Sequence, residues 1–574
     1  MPPEVAMINA ALFYSPDAYS TSGPKLMGRN AAGESFLRAY LQQSTMSEYW
    51  CAVAAPEHAR LYAQQVKALK PNAVIKAVLP TDMQELSAAG VLYSPGPGLG
   101  DFAWGRGAHG HHAYSLCGIT HTTASKAAMD AIADLVMAPL RNWDALICTS
   151  RAVRANVAAV ISAQLDHCRQ RFGATQVELP QLPVIPLGVH GEDFIRLPYD
   201  RHHARGTWGI GDDDVVILFV GRLSFHAKAH PLAMHQALEA VSKETSRRVV
   251  LLECGWFSNE HIKKAFDAAA ATFAPSVRVL RADGRSSAER RLAWHAADIF
   301  CSLADNIQET FGITPVEAMA SGLPVIVSDW DGYRDTVRHG IDGFRIPTLA
   351  PPAGSGVDLA NRHAWGVDTY DMYCGFASSL VAVDIDQTTQ ALKHLVGSAE
   401  LRAEMGRAGQ GHVRERFDWS VVMQEYGQLW DELNRRRAAS QALRSYLLSP
   451  SPSTLTTFPW PARLDPFHAF AAYPTHVLAA DTMLTIGTRP LDDVIEHVRQ
   501  VRELVMVNFV DSILPTTQEC EAAIRRAASG PVRAVDLLVD LPQERRATVF
   551  RSLVWLVKIG ALKCLALNSR KLHD

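Results

Sequence analysis

Short apolar runs recur along the first third of the chain with helix-like stretches between them: "AMINAALFYS", "YWCAVAA", "NAVIKAVLP", "YSLCGITH" and "DALICTS", ending near "LPVIPLG". Runs without polar alternation suit strands covered on both faces, which predicts a parallel sheet in a β/α domain. After "VHGEDFIRLPYDRHHARGTWGIGDDD" the pattern restarts with "VVILFVGRLS", "RRVVLLECG", "VRVLRAD", "ADIFCSLAD" and "LPVIVSD", interleaved with helix-like "PLAMHQALEAVSKET" and "NEHIKKAFDAAAATF". The restart implies a second β/α domain, with a boundary near Pro198 to Gly211. A ligand of such a pair is expected at the carboxyl ends of the strands, in the cleft between the domains.

The stretch "PTLAPPAGSGVDLANRHAWGVDTYDMYCG" interrupts the second pattern and reads as a surface excursion. From Gln387 to about Arg437 the pattern is helical, "LLSPSPSTLTTFPWPA" reads as a linker, and the remainder holds amphipathic segments such as "DDVIEHVRQVRELV". The expected organisation is an α/β chain with domains at 1–203 and 204–437, a linker at 438–461 and a small, mainly helical accessory domain at 462–574. A winged helix is one form that last unit could take. The length of 574 residues agrees, at about 150 residues per domain, with roughly three or four units.

Composition narrows the function. A hydrophobic fraction of 48% and a charged fraction of 20% are those of an ordinary globular protein, and the net charge of −3 gives no general attraction for nucleic acid. Nine cysteines without a CxxC pair suit free thiols in a reducing compartment, so a cytoplasmic location is expected. The N-terminal stretch has no basic region followed by a long apolar one, and no run approaches the roughly 18 apolar residues of a membrane span. Any membrane contact is expected to be peripheral.

"ETFGITPVEAMASGLPVIVSD", Glu309 to Asp329, carries two glutamates around a Phe-Gly turn. Taken alone, Thr314-Pro315-Val316-Glu317 fits a helix capping box, which would explain Glu317 without any ligand. Yet the amides of Phe311, Gly312 and Ile313 would open that helix and favour a polar or anionic group. In "FVGRLSFHAKAHP" an apolar strand ends at Gly221 and supplies Arg222 and Lys228, two cations beside open backbone that suit a diphosphate.

"VGRLSFHAK", "ETFGITPVEAMASGLPVIVSD" and "HGIDGFRIP" together resemble the donor-binding half of the retaining glycosyltransferases of family 4, and the two glutamates match that family's E-x7-E signature. "ICTSRAVRANV", "VIPLGVHGEDF" and "ERFDWSVVMQEYGQLWDEL" resemble the end of the family's first domain, its interdomain segment and its closing helix. The resemblance spans roughly residues 6 to 436, is strongest in the second domain, and implies the GT-B fold: two Rossmann-like domains facing across a cleft. It implies transfer of a sugar from a nucleoside diphosphate sugar, a UDP-sugar first, to a hydroxyl acceptor with retention of configuration. No metal or cofactor is implied. Arg222 and Lys228 would bind the diphosphate, Glu317 the ribose hydroxyls, and Glu309 with the amides of Phe311, Gly312 and Ile313 the transferred sugar. His121, in "GITHTTAS", stands where the family often carries a histidine near the reacting sugar. Ala32-Gly33-Glu34 replaces the usual paired glycines, with Gly33 left to let backbone approach the diphosphate.

Three further motifs are weaker. "SPGPGLGDF" lacks the third glycine of a dinucleotide fingerprint, and no helix-like segment is evident directly after it. "GRGAHGHHAY" gathers His109, His111 and His112 without a carboxylate or thiol at metal spacing, and reads as a rim of the acceptor cleft. "DWD", Asp329 to Asp331, imitates a metal-binding triad of another fold and reads here as a turn after a strand. The acceptor is expected to be a carbohydrate, a lipid-linked molecule or a protein, with the accessory domain as a route to homo-oligomers. The rival functions are a non-catalytic GT-B scaffold or binding subunit, and a GT-B epimerase or phosphorylase.

Overall fold

A computed structural model describes residues 9–21, 28–196, 198–447 and 460–565 of the chain. In the first domain, β1 (Ala11–Tyr14), β2 (Glu48–Val53), β3 (Val74–Val78), β4 (Val91–Tyr93), β5 (Ser115–Ile119) and β6 (Ala145–Ile147) form one parallel sheet in the order β3-β2-β1-β4-β5-β6. In the second, β7 (Val215–Val220), β8 (Val249–Gly255), β9 (Arg278–Asp283), β10 (Ile299–Ser302), β11 (Val325–Ser328) and β12 (Gly343–Ile346) repeat that order as β9-β8-β7-β10-β11-β12. Both are doubly wound sheets whose order reverses beside the first strand, at β1/β4 and β7/β10, and ligands bind at such switch points. The two Rossmann-like domains expected of the GT-B fold are present.

Every residue of β5, β7, β8, β10 and β11 is buried, which is why their sequences read as unbroken apolar runs. β3, at a sheet edge, is mostly exposed. Two elements depart from the sequence reading. β4 is a three-residue strand in "GVLYS", too short to show as a run although it lies next to β1. Helix Gly100–Gly107 follows "SPGPGL" directly, where no helix was evident. Its three glycines make it a poor helix by propensity. Tertiary contact holds it: Arg106 is fully buried, donates to both carboxylate oxygens of Asp144 at 2.6 and 2.8 Å, and reaches the Tyr114 carbonyl at 2.8 Å.

The excursion after β12 is a closed insertion. β13 (Thr348–Leu349) and β14 (Ala382–Val383) pair antiparallel at its base, and helices Val357–Ala364 and Tyr370–Ser378 lie between them. Its second helix buries Cys374 and Gly375, so it is more than surface. Helix Trp419–Leu447 runs past Arg437 into the expected linker. It also crosses back to the first domain, where Trp419, Tyr426 and Trp430 join the core around Phe36, Tyr40 and Tyr93.

Residues Pro461–Asp574 make a separate compact unit. β15 (Met483–Thr485) pairs antiparallel with both β16 (Val532–Arg533) and β17 (Lys563–Cys564), and helices Leu491–Arg502, Thr517–Ala527 and Gln543–Lys558 pack around a core that includes Val494, Ile524 and Leu553. The unit is mainly helical, as expected. It lacks the hairpin of a winged helix among the described residues, because helices separate all three strands along the chain. Among the described residues no helix is long and apolar enough to cross a membrane, and all nine cysteines are free.

Candidate active site

The loop leaving β7 and the loop leaving β10 meet at the switch point of the second sheet. Gly221 takes φ 152°, and Gly255 of β8 packs so tightly on it that an added Cβ would lie 2.0 Å from the Gly221 carbonyl oxygen. From this close-packed start the first loop delivers Arg222, whose Nη2 donates to the Ala227 carbonyl and to Gln308 Oε1, both at 3.0 Å. Asn306 ties the loops together by donating to the His226 carbonyl at 2.8 Å and accepting from the Gln308 amide at 2.9 Å. Trp330 Nε1 braces the same segment through the Asn306 carbonyl at 3.1 Å. The polar "DNIQ" ahead of Glu309 is therefore a structural brace, and its polarity within an apolar region was the available signal.

Lys228 forms an ion pair with Glu309. Burial is the largest influence on each group and works against both charges, but the partner's opposite charge and the hydrogen bonds together outweigh it. The Lys228 ammonium is held above its ordinary pKa and the Glu309 carboxyl below its own, with the Thr310 and Gly312 amides also favouring the carboxylate. Among the described residues the amides of Phe311 and Ile313 donate to no protein acceptor, so they stay open to a ligand.

Gly312 (φ 77°) begins helix Ile313–Ala320, and an added Cβ would fall 1.9 Å from the ring of Tyr333. Only glycine satisfies both the left-handed backbone and that contact. The Tyr333 hydroxyl is fixed by Ser302 Oγ at 2.9 Å. Because the cap is Gly312, Thr314 lies inside the helix and the capping box does not form: Thr314 Oγ1 is buried without a partner among the described residues. The Glu317 carboxylate makes no hydrogen bond or ion pair among the described residues. Burial pushes its pKa up to about 7, against the pull of Arg290 and Lys228.

In the first domain Gly33 is buried in helix Gly28–Gln43, where an added Cβ would meet the Ala18 carbonyl oxygen at 1.9 Å, so its contact in this structure is with protein backbone. It lines a small pocket together with Pro95, Ile119 and His121. Burial drives the pKa of His121 down to about 4 despite a hydrogen bond to the Pro95 backbone, so the imidazole is neutral. Thr122, the next residue, shares a hydrogen bond at 3.1 Å with the hydroxyl of Tyr370 from the insertion. Gly375 on the same helix lies against His226, where an added Cβ would come within 2.9 Å of the His226 Cβ. The insertion thus touches both the diphosphate-loop candidate and the loop carrying His121, a role that its loop-like composition hid.

Gly221, Arg222, Lys228, Glu309, Phe311, Gly312, Ile313 and Glu317 therefore gather at one end of the second sheet, while Gly33 and His121 gather in the first domain. The histidine cluster and Asp329 make other contacts. His112 stacks on Trp143 at 4.6 Å, and no group of three or more potential metal ligands occurs among the described residues. Asp329 pairs with Arg345 at 3.4 Å.

Residues 200–351 match the family model described as Glycosyl transferases group 1. D-inositol 3-phosphate glycosyltransferase of Nocardia farcinica is 26% identical over 190 residues, covering 33% of this chain and 41% of the relative. Phosphatidyl-myo-inositol mannosyltransferase of Mycobacterium leprae is 32% identical over 145 residues, covering 25% of this chain and 29% of the relative. The chain thus spans less than half the length of these curated relatives. A crystal structure of Anabaena HepE in complex with UDP and glucose superposes with a TM-score of 0.46 at 15% identity, over 74% of this chain and 100% of that one. The segment that carries the whole second-domain patch is similar to the glycosyl transferases of group 1.

Proposed function

We propose that this protein moves a sugar from a nucleoside diphosphate sugar, a UDP-sugar first, to an acceptor hydroxyl with retention of configuration. The observation that carries this reading is the Lys228–Glu309 pair beside Arg222 and the unpartnered Glu317, inside the segment that matches the glycosyl transferase model. With donor bound, Lys228 exchanges Glu309 for the diphosphate. Arg222 adds a second cation, and the charge that grows on the leaving nucleotide is neutralised by groups already in place. Glu309, released from the ammonium, accepts hydrogen bonds from the sugar together with the open amides of Phe311 and Ile313. Glu317 accepts from the vicinal diol of the ribose, for which a carboxylate has two oxygens.

His121, neutral, faces the reacting sugar from the first domain, and the acceptor hydroxyl enters on the face the nucleotide leaves. Positioning and charge supply the catalysis, and no side chain serves as a covalent nucleophile. The acceptor is a carbohydrate, a lipid-linked molecule or a protein; the inositol named for two relatives fits the same ring-hydroxyl chemistry. We place the protein in the cytoplasm, with membrane contact only at its surface. We assign to residues 461–574, which expose Val505, Met506 and Phe509, the contacts to acceptor or to a second copy.

The test is a thermal-stability screen against UDP-glucose, UDP-N-acetylglucosamine and GDP-mannose, with and without EDTA. At least one is expected to raise Tm equally in both conditions, because cations and amides stand where another fold would use a metal. Stabilisation that disappears with EDTA and returns with manganese would overturn the assignment of Arg222 and Lys228.

A further inference from the structure

We propose that Asp331 is a further sugar-contacting residue of this site, its carboxyl hydrogen-bonding a hydroxyl of the transferred sugar where the two domains meet. The proposal rests on the donor-site reading above.

Asp331 follows β11 by a few residues, at the carboxyl end of the sheet. It is the only non-glycine with positive φ among the described residues, at 45°. An L-residue is strained there, and glycine would be the cheaper choice. Its neighbour Gly332 packs on the turn that carries the open amides, since an added Cβ would stand 2.4 Å from the Phe311 Cα. The Asp-Gly turn is thereby clamped beside Glu309.

The side chain is only half satisfied. Asp331 Oδ1 accepts from Ser150 Oγ of the first domain at 3.5 Å, a long contact, while Asp331 Oδ2 is buried and without a partner among the described residues. Ser150 is already employed as the cap of helix Arg151–Phe172, where it accepts from the Val153 amide at 3.2 Å. Nearby, Arg151 binds Asp335 through its backbone amide and its Nε, both at 2.6 Å, and Thr122 meets Tyr370. Opening of such a polar contact is the normal behaviour of a domain interface, and it would bare Asp331 to a ligand.

Burial, and then the charge of Glu309, push the Asp331 carboxyl up to about 8, with Asp335 acting in the same direction and the Gly332 amide and Ser150 against it. The group is therefore protonated at neutral pH and donates a hydrogen bond. The charged groups acting on it, Glu309 and Asp335, are carboxylates whose counter-charges Lys228 and Arg151 are already engaged by them, so among the described residues no free cation faces Asp331 for a diphosphate. A sugar hydroxyl, neutral and able to accept, is the ligand chemistry that completes Asp331 Oδ2. A strained backbone and an uncompensated buried oxygen at one residue mark a functional position.

The test compares wild type with Asp331→Gly and Asp331→Asn. Binding is measured for whichever of UDP-glucose, UDP-N-acetylglucosamine and GDP-mannose wild type binds most tightly, and separately for the matching UDP or GDP. Asp331→Gly relieves the backbone, so its Tm is expected to equal or exceed wild type. It should bind the bare nucleotide as wild type does and the nucleotide sugar at least about fivefold more weakly, the equivalent of one hydrogen bond. Asp331→Asn, which keeps a neutral donor, should stay within about twofold of wild type. Nucleotide-sugar binding unchanged in the glycine variant, or lost in step with the bare nucleotide, overturns the inference. Wild type that binds none of the three donors overturns the donor-site reading, and this inference with it.

Discussion

Lys228→Ala is expected to weaken the fold and to abolish donor turnover together. The lysine side chain is 21% exposed and its partner Glu309 13% exposed, so the pair is mostly shielded from water. Removing the ammonium leaves Glu309 in that setting without its counter-charge. For a fully buried pair the loss is about 3–5 kcal/mol, and the residual exposure here puts the expectation at about 2–3 kcal/mol. Turnover should fall by at least ~100-fold, the effect of deleting one preorganised group opposite developing charge. The double variant Lys228→Met with Glu309→Gln separates the two effects. With no orphaned charge it should recover most of the stability in urea unfolding while remaining inactive. Single and double variants of equal stability would show that the pair does not hold the loops together.

Glu317→Ala is expected to do the opposite: to lose donor and keep the fold. Loss of the charge-assisted hydrogen bonds to the ribose should cost about 1.5–3 kcal/mol of binding. Stability should hold or rise, because the half-buried carboxylate caps nothing and has no partner among the described residues. The pH dependence gives an independent check. Its folded pKa lies near 7 against an ordinary value of 4.5, so between those limits the folded state carries more protons than the unfolded one. The contribution of Glu317 to stability is therefore fully present below pH 4.5 and is lost as pH rises through about 7. Relative to wild type, Glu317→Gln should lose less stability over that window. A variant that melts earlier and binds donor normally would restore the capping role that the Gly312 cap displaces.

The parts of the molecule legible in the sequence are those where one local pattern suffices. Buried parallel strands such as β7 and β8 write themselves as apolar runs, and Arg222, Lys228, Glu309 and Glu317 stand at strand ends or around a glycine turn. What was hidden depends on partners far along the chain. Helix Gly100–Gly107 is held by Arg106 reaching Asp144, and Trp430 packs in the first-domain core against Tyr40 and Tyr93, more than three hundred residues upstream. The insertion looks like a loop because its meaning lies in Tyr370 meeting Thr122 and Gly375 meeting His226. The capping-box pattern at Thr314 was misleading for a related reason: the helix is capped two residues earlier, at Gly312, a glycine packed against Tyr333. Asp331 carried a signal, an Asp-Gly pair after a strand, but nothing in the sequence shows that its oxygen is left unsatisfied.

The most direct measurement is proton NMR of wild type incubated with UDP-glucose, UDP-N-acetylglucosamine and GDP-mannose in the presence of EDTA, read at the anomeric signal of the first-formed product with water as acceptor. All three donors are α-linked. Release of UDP or GDP with the sugar appearing first as the α-anomer, and loss of that signal in Lys228→Ala, is the expected result. First appearance of the β-anomer, or turnover unchanged in Lys228→Ala, would contradict retaining transfer at this site.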